Sequence, residues 1–177
     1  MPLRDTPYSY GLVSKLLHWT LALLILTNLV MGLFFGNMPK DLRFTLIMWH
    51  KSIGAAVLIL MLARIIWRSA QGFPQLPEGI VLWQRRLARL VHVALYPILI
   101  AQPVTGWLLS SAAGHPVSVF GLFALPDLIG KNPLWAKAFD LAHDVLGYVI
   151  LALLTAHITA AFYHHFIEGN KLIRRML

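Results

Sequence analysis

The stretch LAHDVLGYVILALLTAHITAAFY, Leu141 to Tyr163, decides the fold. Its length matches the about 20 apolar residues that an α-helix needs to cross the hydrocarbon core of a bilayer. In lipid every backbone N–H and C=O must find its partner within the segment, so such a span is a helix and not a strand. Two histidines, His143 and His157, stand 14 residues apart in it. At about 100° per residue that spacing returns to within about 40° of the same helix face, and at about 1.5 Å rise it sets the imidazoles about 21 Å apart along the axis. One face of one helix therefore presents a histidine near each surface of the membrane.

Three further runs have the same character: about Leu16 to Phe35, Leu46 to Trp67, and Leu90 to Ser111. Of the 177 residues 58% are hydrophobic and only 12% charged, against about 25% charged in an average soluble domain. That composition excludes a water-soluble globule. It equally excludes a disordered or nucleic-acid-binding chain, despite the net charge of +8, because both need a charge-dense sequence. Turn chemistry separates the runs: GNMPKD around Pro39, QGFPQLPEG from Gln71 to Gly79, and a long stretch from Ala112 to Pro133. No linker divides the chain, so residues 1–177 are expected to form one all-α membrane domain, a four-helix up-down bundle. The first run is too long for the apolar core of a signal peptide and lacks a small-residue cleavage pattern, so it is expected to be retained.

Lysine and arginine set the orientation, because cytoplasmic loops are enriched in them. One side carries ten: Arg4, Lys15, Arg64, Arg68, Arg85, Arg86, Arg89, Lys171, Arg174 and Arg175. The other carries five: Lys40, Arg43, Lys51, Lys131 and Lys137. Both termini are thus expected in the cytoplasm, with a bacterial inner membrane as the natural host. The acidic residues divide as Asp5, Glu78 and Glu168 inside, with Asp41, Asp127, Asp140 and Asp144 outside.

Five of the eight histidines lie in or at the edge of an apolar span: His18, His50, His92, His143 and His157. Ionisable groups at such depth are costly and mark functional sites. His50 opens the second span from the outside, level with His143, while His18 opens the first from the inside near the depth of His157. Two cross-helix pairs result, His50 with His143 and His18 with His157. Paired neutral imidazoles, without carboxylate or thiolate, suit the two axial positions of a six-coordinate haem b, whereas zinc asks for three or four ligands at one depth. The chain has no cysteine, which removes iron–sulfur clusters, thiolate sites and covalent haem attachment.

HKSIG at His50 and HDVLG at His143 both read H-x-x-x-G. Gly54 and Gly147 therefore share a face with the outer histidines and let a flat macrocycle approach the backbone, although small residues also serve helix packing. Arg64 lies 14 residues after His50, on nearly the same face and one haem-depth inward. There it can bind a propionate or, as Arg68 does more naturally, snorkel to the interface. His92 competes with His18 as a ligand or serves quinone or proton delivery, and the pair His164 and His165 at the inner end of the fourth span is a second candidate for that path. His115 is expected to be exposed, and Met31, Met48 and Met61 to be packing residues.

These residues resemble the bacterial cytochrome b561 family: LLHW at His18, MWHKSIG at His50, H-x13-H in the fourth span, the loop GHPVSVFGLFALP from Gly114, and AHITAAFYHHFIEGN from Ala156. The resemblance implies a stand-alone electron carrier with two haem b groups, of the superoxide oxidase type. Superoxide would reduce the outer haem, and ubiquinone would take electrons from the inner one. It makes Lys51, beside His50, the first choice for guiding the anion. Outside, however, five basic against four acidic residues leave a single excess charge, which is a weak funnel. The same histidine plan occurs in cytochrome b subunits that anchor a periplasmic dehydrogenase or hydrogenase, the alternative function. A periplasmic redox partner belongs to that alternative alone.

Overall fold

A computed structural model of the chain describes residues 2–72, 74, 81–170 and 172–177. Most of the Gln71–Gly79 connection, with Glu78, and also Lys171 lie outside the described residues. Four helices among the described residues are long and apolar enough to cross a membrane: α1 (Leu12–Phe34), α2 (Lys40–Gln71), α3 (Leu82–Ala113) and α4 (Pro133–Phe162). Each outruns the apolar segment that marks it. Hydropathy reports the depth of hydrocarbon, whereas a helix ends where its backbone groups find other partners. In α4 the Asn132 side chain accepts hydrogen bonds from the Leu134 and Trp135 amides, with Pro133 opening the first turn, so the helix begins eight residues before Leu141. α2 starts behind Pro39 with Asp41 in its first turn, where a carboxylate suits the positive end of the helix dipole. Gly114, at φ +77°, turns the chain out of α3 while its N–H reaches the carbonyls of Ser110 and Ser111.

α1 packs on α2, α2 on α3, and α3 most extensively on α4. The shared core is short: Leu21 and Ile25 of α1, Val57 and Met61 of α2, Leu95 and Leu99 of α3, and Ile150 of α4. Much of the remaining apolar surface points outward, Leu23, Ile59, Ile66, Val93 and Leu141 among it, with Ile66 70% exposed. An inside-out distribution of this kind suits lipid as the surrounding solvent. The bundle has two ends, here called the terminal end, where both chain termini lie, and the hairpin end, closed by the α3–α4 loop.

That loop folds into β1 (Ser118–Val119) and β2 (Phe123–Ala124), antiparallel with Ser118 opposite Ala124 and Val119 opposite Phe123. Ser52 of α2 pins it. The buried hydroxyl accepts the Phe120 N–H at 2.9 Å and shares its own proton between the carbonyls of Met48 (2.9 Å) and Ser118 (3.0 Å). Phe120 holds a left-handed conformation, φ 51°, while its ring meets Trp49 edge to face. At the terminal end the N-terminal arm is tied down by Arg68, which is paired with Asp5 at 3.0 Å and stacked over the Tyr10 ring. Arg68 is thus held by the arm rather than free at the interface. His115 is exposed and Met61 is buried in the core, as expected.

Ser52→Ala leaves the Phe120 amide without its acceptor, an unmet bond worth about 1–3 kcal/mol. Thermal unfolding in detergent should drop accordingly and amide exchange at Phe120 should accelerate. Unchanged exchange there would mean that Ser52 does not hold the loop.

Candidate functional site

The bundle brings the expected pairs together. His50 of α2 and His143 of α4 face each other near the hairpin end with ring centres 6.0 Å apart. His18 of α1 and His157 of α4 face each other near the terminal end at 6.3 Å. Two imidazoles on opposite sides of one metal ion have a characteristic spacing. With metal–nitrogen distances of about 2.0 Å, and a five-membered ring whose atoms lie about 1.15 Å from its centre, the centres stand about 6.3 Å apart. Both pairs fit a bis-imidazole iron. Among the described residues no three His, Asp or Glu side chains converge as ligands of a bare metal ion.

Tautomers can be assigned wherever the partner has only one hydrogen-bonding role. His143 Nδ1 lies 3.0 Å from the Gln102 carbonyl, so that nitrogen carries the proton and Nε2 keeps its lone pair, which accepts from the Gln102 amide nitrogen at 3.3 Å. The hydroxyl of Thr105 lies 3.2 Å from the same Nδ1. His18 is in the opposite state: the Arg64 guanidinium, a donor only, lies 3.1 Å from Nδ1, which places the proton on Nε2 in the neutral ring. Arg64 is therefore at the depth of the terminal-end pair, over the Tyr96 ring at 6.0 Å. His92 of α3 is 5.1 Å from His157 and gives its Nδ1 proton to the Ala88 carbonyl at 2.6 Å. Its Nε2 is thus the acceptor, but the spacing to His157 is too short for an intervening iron.

Four glycines line the helix faces around the hairpin-end pair. Gly54 and Gly147 do not meet the imidazoles but face amide side chains, with the position of an added Cβ 3.6 Å from the nitrogens of Asn28 and Gln102. The residues against the rings are Gly32, where an added Cβ would lie 3.5 Å from His50, and Gly106, where it would lie 2.9 Å from His143. Sequence reading missed Asn28, Gly32, Gln102 and Gly106. The signal was present as an internal repeat: a shift of 74 residues lays His18, Asn28 and Gly32 on His92, Gln102 and Gly106, and a shift of 93 lays His50, Gly54 and Arg64 on His143, Gly147 and His157. The core follows the same register, with Leu21 and Ile25 equivalent to Leu95 and Leu99, and Val57 to Ile150. The bundle is one helix hairpin used twice.

Lys51 lies at the hairpin end with Nζ 3.5 Å from the His115 carbonyl. At the other end α4 runs into a π-helical turn, Tyr163–Ile167, a form frequent at functional sites. It buries His164, whose Nδ1 is 2.7 Å from Glu168. His165 Nδ1 is buried without a partner. Gln84 of α3 and Asn170 donate to the two Glu168 oxygens at 2.7 and 2.8 Å. The bond from Gln84 first, and then that from His164, hold the Glu168 carboxyl below the usual glutamate range.

Gly106→Ala would push the His143 ring against its anchor on Gln102, at an overpacking cost of about 1–3 kcal/mol. Its melting temperature should fall, while Gly54→Ala and Gly147→Ala, with ordinary contact distances, should stay near wild type. Equal melting of all three would refute the close fit. For Glu168 the lowered pKa means stability present above the ordinary glutamate value and lost as pH falls through the folded value. Gln84→Leu should move that loss to higher pH, followed by amide exchange across Tyr163–Asn170. An unshifted acid transition would remove Gln84 from the set.

Comparison with known proteins agrees with this geometry. The family described as prokaryotic cytochrome b561 matches residues 9–177. The chain is 30% identical over 179 residues to cytochrome b561 homolog 2 of Escherichia coli (strain K12), covering 100% of this chain and 95% of that protein. Homolog 1 of the same organism is 29% identical, covering 91% and 92%. A probable superoxide oxidase CybB of Yersinia pestis is 28% identical, covering 94% and 95%. With paired histidines spaced for haem inside four apolar helices, the chain belongs to the prokaryotic cytochrome b561 family, haem b proteins of membrane electron transfer.

Proposed function

We propose that this chain is a superoxide oxidase of the bacterial inner membrane, passing electrons from periplasmic superoxide through two haem b groups to ubiquinone. Residues 1–177 act as one membrane domain with both termini in the cytoplasm, so the hairpin end faces the periplasm. The observation that carries this reading is the spacing of the two histidine pairs, 6.0 and 6.3 Å, about 21 Å apart along α4. The similarity to a probable superoxide oxidase supports the choice of reaction.

His50 and His143 would hold one haem, and His18 and His157 the other. The haems, when bound, supply one-electron transfer between the two faces of the membrane. Lys51 offers a cation to the superoxide anion beside His50. Gly54 and Gly147 keep the helix faces below the outer histidines free of side chains. Arg64 would bind a propionate of the inner haem; with Arg64 so engaged, the neutral His18 ring could carry its proton on Nδ1 and offer Nε2 to the haem. His92, exposed beside His157, and the His164–Glu168 pair with His165 handle quinone and its protons. The overall reaction balances as two superoxide anions, one quinone and two protons giving two dioxygen and one quinol.

Purified protein should carry close to two haems per chain; one or none would refute the pairing. His157→Ala should lose the inner haem and His50→Ala the outer, and loss of the same haem in both would overturn the assignment by depth. Superoxide should reduce the haems and continue to do so with quinone as acceptor. Indifference to superoxide in a two-haem preparation would point instead to an anchor subunit for a periplasmic dehydrogenase or hydrogenase.

A further inference from the structure

Three residues of α3 meet the His143 ring: Gln102, Thr105 and Gly106, spaced i, i+3 and i+4 and so on one helix face. The Gln102 carbonyl lies 3.0 Å from His143 Nδ1, and the Thr105 hydroxyl oxygen lies 3.2 Å from the same atom. Thr105 gives its own proton to the Gln102 carbonyl at 2.8 Å, which leaves its lone pairs as acceptors. The single Nδ1 proton is therefore shared between two oxygens that are themselves tied together. On the same face a Cβ at Gly106 would lie 2.9 Å from His143 Cε1. One acceptor oxygen lets an imidazole swivel about the hydrogen bond, whereas two oxygens and a close backbone define the plane of the ring.

That plane is crosswise to the facing histidine, with the His50 and His143 rings inclined at 75°. The first hairpin repeats Gln102 as Asn28 and Gly106 as Gly32, but at the position of Thr105 it has Met31, which carries no hydroxyl. Packing of the repeat therefore does not require a hydroxyl at this position. Thr155 shows what a threonine in an apolar helix does for itself, since its hydroxyl only bonds back to the Leu151 carbonyl at 2.8 Å. Thr105 does the same toward Gln102 and in addition meets an imidazole.

We propose that Thr105 is a positioning residue for the haem assigned to His50 and His143: together with the Gln102 carbonyl it fixes the His143 ring plane, so that the two imidazoles stand crosswise. This rests on the two-haem reading above. His143 Nε2, which accepts from the Gln102 amide at 3.3 Å, has the lone pair suited to iron, and a hydrogen bond at the other ring nitrogen is what orients a ligating histidine. A ring that does not turn when an electron arrives or leaves keeps the accompanying rearrangement small, which suits one-electron transfer.

Electron paramagnetic resonance of the oxidised two-haem protein reads the angle between the ligand planes. Crosswise planes leave two iron d orbitals close in energy and give one very large g value; parallel planes separate those orbitals and give three resolved g values closer together. The signal that is missing in His50→Ala should be of the first kind. Thr105→Val keeps the branched shape without the hydroxyl, so in it the largest g value of that signal should fall, with the signal of the other haem unmoved. Thr105→Ser, which retains the hydroxyl, should coincide with wild type. A wild-type signal of the parallel kind, or a Thr105→Val signal in the wild-type position, overturns the proposal. Should Thr105→Val not retain the outer haem, Thr105→Ser decides: coincidence with wild type supports the role of the hydroxyl, and a displaced signal is fatal to it. A wild-type protein without two haems would instead overturn the two-haem reading itself.

Discussion

Everything in this molecule depends on the cost of leaving a polar group unpaired in hydrocarbon. Four helices meet that constraint for the backbone, but they leave little polar material for the interior. Polar side chains gather at two depths: His50 and His143 with Asn28 and Gln102 near the hairpin end, and His18 and His157 with Arg64 near the terminal end. His143 is held by the Gln102 carbonyl, His92 by the Ala88 carbonyl and His18 by Arg64. The residual unpaired atoms, on Asn28, His50, Gln102 and His165, fall at the proposed sites and nowhere else among the described residues.

Duplication explains how so short a chain builds two sites. A hairpin that presents His-x9-amide-x3-Gly on one helix and His-x3-Gly on the next meets its copy across the bundle. Near the hairpin end the two copies remain alike, which suits a cofactor approached equally from both sides. At the terminal end they have diverged: Arg64 stands where the second copy has His157, and His18 and His92 carry opposite tautomers. The symmetry is kept in the His50–His143 pair and broken around the His18–His157 pair.

The two ends of the bundle are built differently. At the hairpin end Ser52 pins the β1–β2 loop to α2, and the neighbouring Lys51 ammonium reaches the His115 carbonyl before that loop. At the terminal end the π-helical turn gathers His164, Glu168, Asn170 and Gln84 into a hydrogen-bonded set suited to exchanging protons. The arm from Asp5 to Gly11, tied to Arg68, closes the same end against α2.

From composition and periodicity alone come the membrane, the four helices and the histidine pairs, because a long apolar run and a 14-residue spacing have few other physical meanings. The same one-dimensional reading could not find the helix ends, which depend on caps such as Asn132 rather than on hydropathy. Nor could it separate Gly106, pressed against His143, from Gly147, facing an amide. A glycine's role depends on what stands opposite it, and opposition is a property of packed helices. The tautomers of His18 and His92 belong to the same class, since a ring nitrogen's proton is assigned by the neighbour it meets. Tertiary structure decided the one competition in those pairs that spacing left open, His92 against His18: His18 stands 6.3 Å from His157, an iron-spanning distance, and His92 only 5.1 Å, because separation across a bundle is set by packing and not by position along a helix.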